Sequence, residues 1–342
     1  MELTLDGGVV RGDGQARERF YDSRGYGRPI DGALELAPVE AAHLLYRGDI
    51  EAVRDAETGE ALDFRGLVSS AAVSEIDVLV YKDLRDRGFY LSPAREGWVD
   101  EPGDADFVVY PRGDGPWDDA VAYRVRAISE RTTVPAASLG ACVLAVVDEE
   151  SSITYLDTDR PDIEGTTTAD LPSGVPADLL GDRVLAWDPP AVLYDSAFYG
   201  QPLDEDEGHP LQLSLIEAAS LVADGVLTVE GGEEAIRERG REVEGERFDR
   251  RLTAYRALRE RGVVPKTGYK FGADFRTYAD VESVDDLGHS ELLVRVLPAG
   301  HSFDPRDLAL DVRLAHGVRK TMVFALVDGE SIEWVSVNRL TP

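Results

Sequence analysis

A mixed α/β fold, laid down twice in tandem, is what this sequence predicts, and three observations carry that expectation. The chain has 342 residues, more than one ordinary core needs and enough for two. Four blocks recur in the same order. Tyr21-Asp-Ser-Arg-Gly-Tyr26-Gly27-Arg-Pro29 returns 173 residues later as Tyr194-Asp-Ser-Ala-Phe-Tyr199-Gly200-Gln-Pro202, and Tyr81-Lys-Asp-Leu-Arg-Asp-Arg-Gly88 returns 174 residues later as Tyr255-Arg-Ala-Leu-Arg-Glu-Arg-Gly262. Ala105-Asp-Phe-Val-Val-Tyr110 is answered by Ala273-Asp-Phe-Arg-Thr-Tyr278, and Leu144-Ala-Val-Val-Asp148 by Phe324-Ala-Leu-Val-Asp328. Third, helical and alternating spacings follow one another in the second copy, as a mixed architecture requires. A domain-sized period rules out a solenoid.

Each copy reads as a small N-terminal mixed subdomain followed by a longer α/β one. The first copy occupies 1–160. The Thr-, Asp-, Pro- and Gly-rich stretch from Asp159 to Pro176 has linker composition, and the linker is placed at 161–176. An N-terminal subdomain at 177–245 and a C-terminal subdomain at 246–342 follow. In the latter, Phe248, Leu252, Tyr255 and Leu258 recur at helical spacing, and Gly262 is placed to end that helix. Strands are expected over 270–278 and 292–297, the second with Leu292, Val294 and Val296 alternating against Leu293 and Arg295. Asp304 then Pro305 is an N-cap followed by proline at the first helical position, opening a helix to about Val318. The last strands, 321–327 and 332–340, flank Asp328-Gly329, a strong hairpin signal.

Composition bounds the setting. The net charge is -30, from 66 acidic and 36 basic residues, and only Lys82, Lys266, Lys270 and Lys320 are lysines. The acidic residues are spread along the chain, whereas a disordered acidic tail would gather them in one block. This is the pattern of a protein working in molar salt, as in a halophilic archaeon. There the Debye length is roughly 3 Å and self-repulsion is largely screened. No apolar run approaches eighteen residues and the start lacks a secretory signal, so a cytoplasmic protein with no membrane partner is expected. The single cysteine, Cys142, sits in the apolar run 141–147 and reads as a core residue. Phosphate-cradling glycine motifs are missing, and one cysteine with dispersed histidines argues against zinc. Neither a cofactor nor a resident metal is expected.

RNA can be cut by its own ribose. The 2′-hydroxyl attacks the adjacent phosphorus and expels the 5′-oxygen, which needs a base, an acid and positive charge on the crowded phosphate. Tyr278, His289 and Lys320 supply such groups within one stretch. Singly they read as a strand aromatic, a loop histidine and a helix-end charge; His301 and His316 read as structural or solvent-exposed. Two facts raise the trio above that reading. In a chain that uses arginine almost throughout, a lysine directly after Arg319 suggests that a guanidinium does not serve there. Copy one, moreover, keeps Tyr110 but has Ala120 near the histidine position and Gly140 opposite Lys320, so it reads as non-catalytic.

The stretch Pro265 to Pro342 resembles the C-terminal domain of the archaeal tRNA-splicing endonucleases. Lys-Phe-Gly-Ala-Asp-Phe-Arg-Thr-Tyr278, His289 before Ser290, and Leu-Ala-His-Gly-Val-Arg-Lys320 agree with that family in type, order and approximate spacing. The resemblance implies a restriction-endonuclease-like α/β catalytic subdomain, with Tyr278 as base, His289 as acid and Lys320 as transition-state stabiliser. A phenol of reference pKa about 10 is a poor base near neutrality unless cations lower it. It further implies a homodimer whose four units mimic a tetramer, acting on precursor tRNA at bulge-helix-bulge folds. Arg313 and Trp334 would grip an unpaired base. The acidic tip with Asp328 and Glu330 would dock on a neighbouring unit, as would Asp148-Glu149-Glu150 from copy one. Two other readings stand beside this one: a metal-dependent nuclease using Asp274, Glu291 and Lys320, and a non-catalytic RNA-binding or assembly subunit.

Overall fold

In a computed structural model, which describes residues 3–204 and 210–342, the long subdomains of the two copies build one continuous sheet. Copy one contributes β1 (Leu91–Pro93), β2 (Phe107–Val109), β3 (Tyr123–Ser129), β4 (Val143–Val147) and β5 (Ile153–Asp159). Copy two contributes β6 (Val264–Thr267), β7 (Phe275–Tyr278), β8 (Leu292–Pro298), β9 (Thr321–Asp328) and β10 (Ser331–Leu340). The strand order is β6-β7-β8-β9-β10-β5-β4-β3-β2-β1. The copies therefore meet last strand to last strand, antiparallel, with Asp157 opposite Asn338. The N-terminal subdomains hold smaller sheets, with helix α1 (Pro38–Tyr46) in copy one and α3 (Leu215–Ala223) in copy two. Helices α2 (Glu75–Asp86), α4 (Gly232–Glu244), α5 (Arg247–Glu260) and α6 (Pro305–Gly317) complete the frame used below.

The helical spacing in copy two does form a helix. Phe248, Leu252, Tyr255 and Leu258 on α5 are all buried, and Gly262 follows its end at φ +72°. This helix covers one face of the sheet, against Val294, Val323, Ala325 and Trp334. Helix α6 covers the other face. Its Asp304 cap accepts the Arg306 N–H at 2.9 Å, and Pro305 occupies the first turn. Copy one has only the short turn Ala136–Ser138 where α6 would stand. One helix consequently serves both copies: Leu308 and Val312 of α6 share a core with Ile128, Leu144 and Leu156 of copy one and Phe324 and Val335 of copy two.

One expected strand is shorter than its pattern suggested. Of 270–278 only Phe275–Tyr278 is extended, because the chain makes a tight turn first. The Phe271 N–H donates to the Gly268 carbonyl at 2.8 Å, and Gly268 itself could not carry a Cβ, which would lie 2.8 Å from the Ala273 carbonyl oxygen. At the hairpin tip Asp328 pairs with Ser331, leaving Gly329 at φ +59° as the first central residue, the glycine position of a type II′ turn.

Both edge strands contain a proline, Pro93 in β1 and Pro265 in β6. The neighbouring ladder bonds, Ala94 N–H to Asp106 and Gly268 N–H to Asp274, fix the alternation. Residues 93 and 265 thereby turn their nitrogens away from the sheet.

A polar network is repeated in both copies. The Glu40 carboxylate accepts the N–H groups of Gly27 at 2.6 Å and Ala37 at 2.8 Å, and Glu217 accepts those of Gly200 at 2.9 Å and Ser214 at 3.0 Å. Arg85 lies 4.0 Å over the Tyr26 ring, and Arg259 lies 3.8 Å over Tyr199. The copies differ in one cation. The Lys266 ammonium stands 2.9 Å from Glu217, while Ser92 holds the matching place in copy one, opposite Val108 as Lys266 is opposite Arg276. Burial pushes Glu40 up to about 7 against its two N–H donors. Burial opposes the charge on Glu217 as well, but Lys266 and the same pattern of N–H donors outweigh it and bring the group down to about 2.

The segment 160–174 has no regular secondary structure, as its composition suggests, yet it is fastened to copy two. Ile163 is buried in the α5-side core. The Thr166 N–H donates to Ala279 at 2.7 Å and the Thr167 N–H to Gly262 at 3.0 Å, while Thr167 Oγ1 accepts the Val281 N–H at 2.9 Å. A Cβ on Gly165 would lie 2.4 Å from the Gly262 oxygen, so only glycine fits this approach.

Candidate active site

Strand order brings the three candidate residues to one end of the sheet. Tyr278 closes β7, His289 precedes β8 and Lys320 precedes β9, and these strands are consecutive neighbours. Two backbone bonds continue the pairing into the site: the Glu291 N–H to the Thr277 carbonyl and the Thr321 N–H to the Glu291 carbonyl, both 3.1 Å. Residues 276 and 278 lie on one face of β7. The cross-strand partner of Arg276, Leu293, belongs to the core under α6. Met322, two residues beyond Lys320, belongs to the same core. The site is thus built on the α6 side of the sheet.

Each group is held differently. Tyr278 is buried against Phe198, whose ring meets it edge-on at 5.7 Å, and against Val264. His289 is exposed in the loop before β8, while its neighbour Ser290 is buried. The Lys320 ammonium donates to the Ser290 carbonyl, which ties the lysine to the histidine loop. Its backbone is fixed as well: the chain leaves α6 through Arg319 at φ +57°, and the Lys320 N–H donates to Ala315 at 2.9 Å. A left-handed arginine is costly, by on the order of 1 kcal/mol. Among the described residues no side-chain hydrogen bond joins Tyr278, His289 and Lys320 to one another.

A fourth group stands beside them that the motif reading left without a role. The Arg276 guanidinium carbon is 5.7 Å from the Tyr278 ring centre, and its Nε is buried with no hydrogen-bond partner. Burial, and then repulsion from Arg276, holds Lys320 below the usual lysine range. The signal that could have found it is the repeat itself: the aligned strands differ at this position, with Val108 in copy one.

The paired reading of Arg313 and Trp334 needs correction within one chain. Trp334 is 6% exposed on the α5 side of the sheet, whereas Arg313 is exposed on α6, over the opposite face. The inward half of a strand alternation took the indole into the core, and one chain does not bring the two together. Asp328 and Glu330 lie exposed at the β9–β10 tip. Asp274, offered above as a metal ligand, sits at the far end of β7 from the trio. Its carboxylate accepts the Val296 N–H at 2.8 Å and pairs with Arg251 at 2.9 Å. His301 packs edge-on against Phe303, and His316 is exposed. Cys142 is half-buried beside the α6-side core.

Comparison with known proteins gives matches over both copies. The tRNA intron endonuclease N-terminal domain matches at residues 1–68 and again at 175–239, and the catalytic C-terminal domain matches at 248–334. The repeated N-terminal match follows the duplication, and the catalytic match sets aside the non-catalytic reading. A tRNA-splicing endonuclease of Haloarcula marismortui is 68% identical over the whole of both chains, and that of Natronomonas pharaonis 61%. One from Methanosarcina acetivorans is 38% identical over 99% of each chain. Halophilic archaea among these relatives fit the acidic composition. No helix among the described residues is long and apolar enough to cross a membrane. With the catalytic domain matched at 248–334, the N-terminal domain matched twice and a full-length relative 68% identical, the chain belongs to the tRNA-splicing endonuclease family of enzymes.

Proposed function

We propose that this chain excises introns from precursor tRNA at bulge-helix-bulge folds by metal-independent transesterification. Tyr278 takes the proton of the 2′-hydroxyl as the O2′–P bond forms. The P–O5′ bond breaks and His289 delivers a proton to the departing O5′. Lys320 holds the negative charge on the phosphate. The products are a 2′,3′-cyclic phosphate and a 5′-hydroxyl. The observation that carries this reading is the meeting of Tyr278, the His289 loop and Lys320 at three adjacent strand ends, with Lys320 bonded to the backbone next to His289. The metal-dependent alternative draws little support, because Asp274 is engaged by Arg251 and a backbone N–H at the other end of its strand. Incubating the protein with an intron-containing precursor in molar KCl and excess chelator tests the proposal. Sustained cleavage with cyclic phosphate ends is expected. Activity lost in chelator and restored by a divalent cation would overturn it.

The same reading makes the active species a homodimer, in which the exposed Asp328-Gly329-Glu330 tip docks on a neighbouring unit and Arg313 faces RNA. Replacing Asp328 and Glu330 by lysine should give monomers or weak dimers with poor cleavage. An unchanged, active dimer in light scattering would reduce the tip to a solvated turn.

A further inference from the structure

The two copies are an internal control for what the reaction needs. Along the stretches that hold β2 and β7, three duplicated positions keep the same residue, Asp106 and Asp274, Phe107 and Phe275, Tyr110 and Tyr278, and a buried Val109 is answered by a buried Thr277. The paired aspartates even repeat a bond, Asp106 accepting the Ala127 N–H and Asp274 the Val296 N–H, both at 2.8 Å. Between them stands Arg276 in copy two and a buried Val108 in copy one. The arginine is thus missing from the copy that also has Ala120 and Gly140 in place of His289 and Lys320. Stability of the strand does not require a cation there, since valine serves the same position.

The surroundings of Arg276 lack the group that usually accompanies a half-buried guanidinium. In a chain with 66 acidic residues, no carboxylate among the described residues pairs with it, and its buried Nε has no acceptor. The charged groups that bear on it are other cations: Lys320, which it repels, and its cross-strand partner Lys266, whose ammonium is taken up by Glu217. Two like charges on one face, with no carboxylate between them, are unfavourable in the free protein and become favourable when an anion enters. A phosphodiester offers one negative charge over two non-bridging oxygens, which matches an arginine fork and a lysine point charge together.

We infer that Arg276 is a fourth catalytic residue, whose guanidinium holds the same scissile phosphate as Lys320. The inference rests on the chemistry proposed above for Tyr278, His289 and Lys320. Lys320 reaches the phosphate from the β9 side and Arg276 from the β7 side. The charge that grows on the non-bridging oxygens as O2′ adds is then shared between two cations.

The test compares Arg276→Gln and Arg276→Lys with His289→Ala and Lys320→Ala. Cleavage is followed in single turnover at saturating enzyme. Binding of a precursor with 2′-deoxyribose at the cut site, which cannot be cleaved, is followed against KCl concentration. Arg276→Gln should lower the saturated rate by about 10²-fold and reduce the slope of log affinity against log salt by about 0.7, one phosphate contact on a single strand. Arg276→Lys should keep the slope and recover part of the rate. A purely structural role would leave the slope unchanged. A saturated rate within about threefold of wild type for Arg276→Gln, or a slower rate with an unaltered slope, overturns the inference. Should the glutamine variant fail to fold, Arg276→Val, the residue that copy one carries at this position, replaces it, and a saturated rate within about threefold of wild type, or a slower rate with an unaltered slope, overturns the inference. If His289→Ala and Lys320→Ala are crippled while Arg276→Gln is not, only this inference falls; if all are near normal, the proposed chemistry falls with it.

Discussion

His289→Ala and Lys320→Ala should each lower precursor cleavage by about 10²-fold or more, the usual loss on removing a general acid or a transition-state charge, while the protein folds and binds RNA. His289 is exposed in a loop and buries little, so its removal opens no cavity. Lys320 makes one side-chain bond, to the Ser290 carbonyl, and is itself only half-buried. Neither change is placed to unfold the sheet, so a rate loss with a normal melting curve identifies chemistry. Tyr110→Phe is the matching control. Its hydroxyl donates to Ser92 at 2.9 Å in the copy without histidine or lysine, and cleavage should be untouched. Near-normal turnover in both alanine variants would remove the trio from the mechanism.

The second large effect falls on stability. Lys266→Met should cost about 3–5 kcal/mol, the range for removing one partner of a buried pair. It leaves the Glu217 carboxylate among Gly200, Ser214 and the α3 core without its ion-pair partner. Equilibrium unfolding at pH 7 in constant KCl measures it, and a loss under about 1 kcal/mol would show that the two N–H donors and the Ser214 hydroxyl carry the charge without the lysine. The pH dependence has opposite signs in the two copies. Glu217 falls to about 2 in the folded state, below its unfolded value. Its contribution is complete above an unfolded pKa of about 4.3 and is lost as pH drops toward 2. Glu40 rises to about 7, so the folded state takes up the proton first. Its favourable contribution is complete below the unfolded pKa and fades as pH climbs through 7.

These residues also mark how far the sequence could be read. The duplication, the α5 and α6 helices with their caps, and the final hairpin were legible because periodicity, Asp-Pro and Asp-Gly are local signals. The trio was legible as a motif, and strand order explains why three separated blocks converge. Rarity of lysine was a cruder guide than it looked. It pointed to Lys320 and would have pointed equally to Lys266, which neutralises a buried glutamate. Trp334 went the other way from its motif reading, since which face of a strand is covered depends on where α5 and α6 land. The linker composition foretold irregular backbone. It could not foretell that 166–167 would be stitched to the residues just after Tyr278, because those bonds join positions more than a hundred residues apart. Arg276 needed both copies laid side by side before its position became informative.

The prolines at the two rims of the sheet have a consequence for assembly. A long sheet ordinarily invites another strand, because its rim presents a row of unpaired N–H and C=O groups. Here Pro93 and Pro265 each remove a donor from that row at the point where an incoming chain would begin to zip. Copies of this protein are therefore barred from joining rim to rim into an open-ended ribbon. Association is left to surfaces that can close on themselves, which suits an acidic protein whose self-repulsion is screened in molar salt.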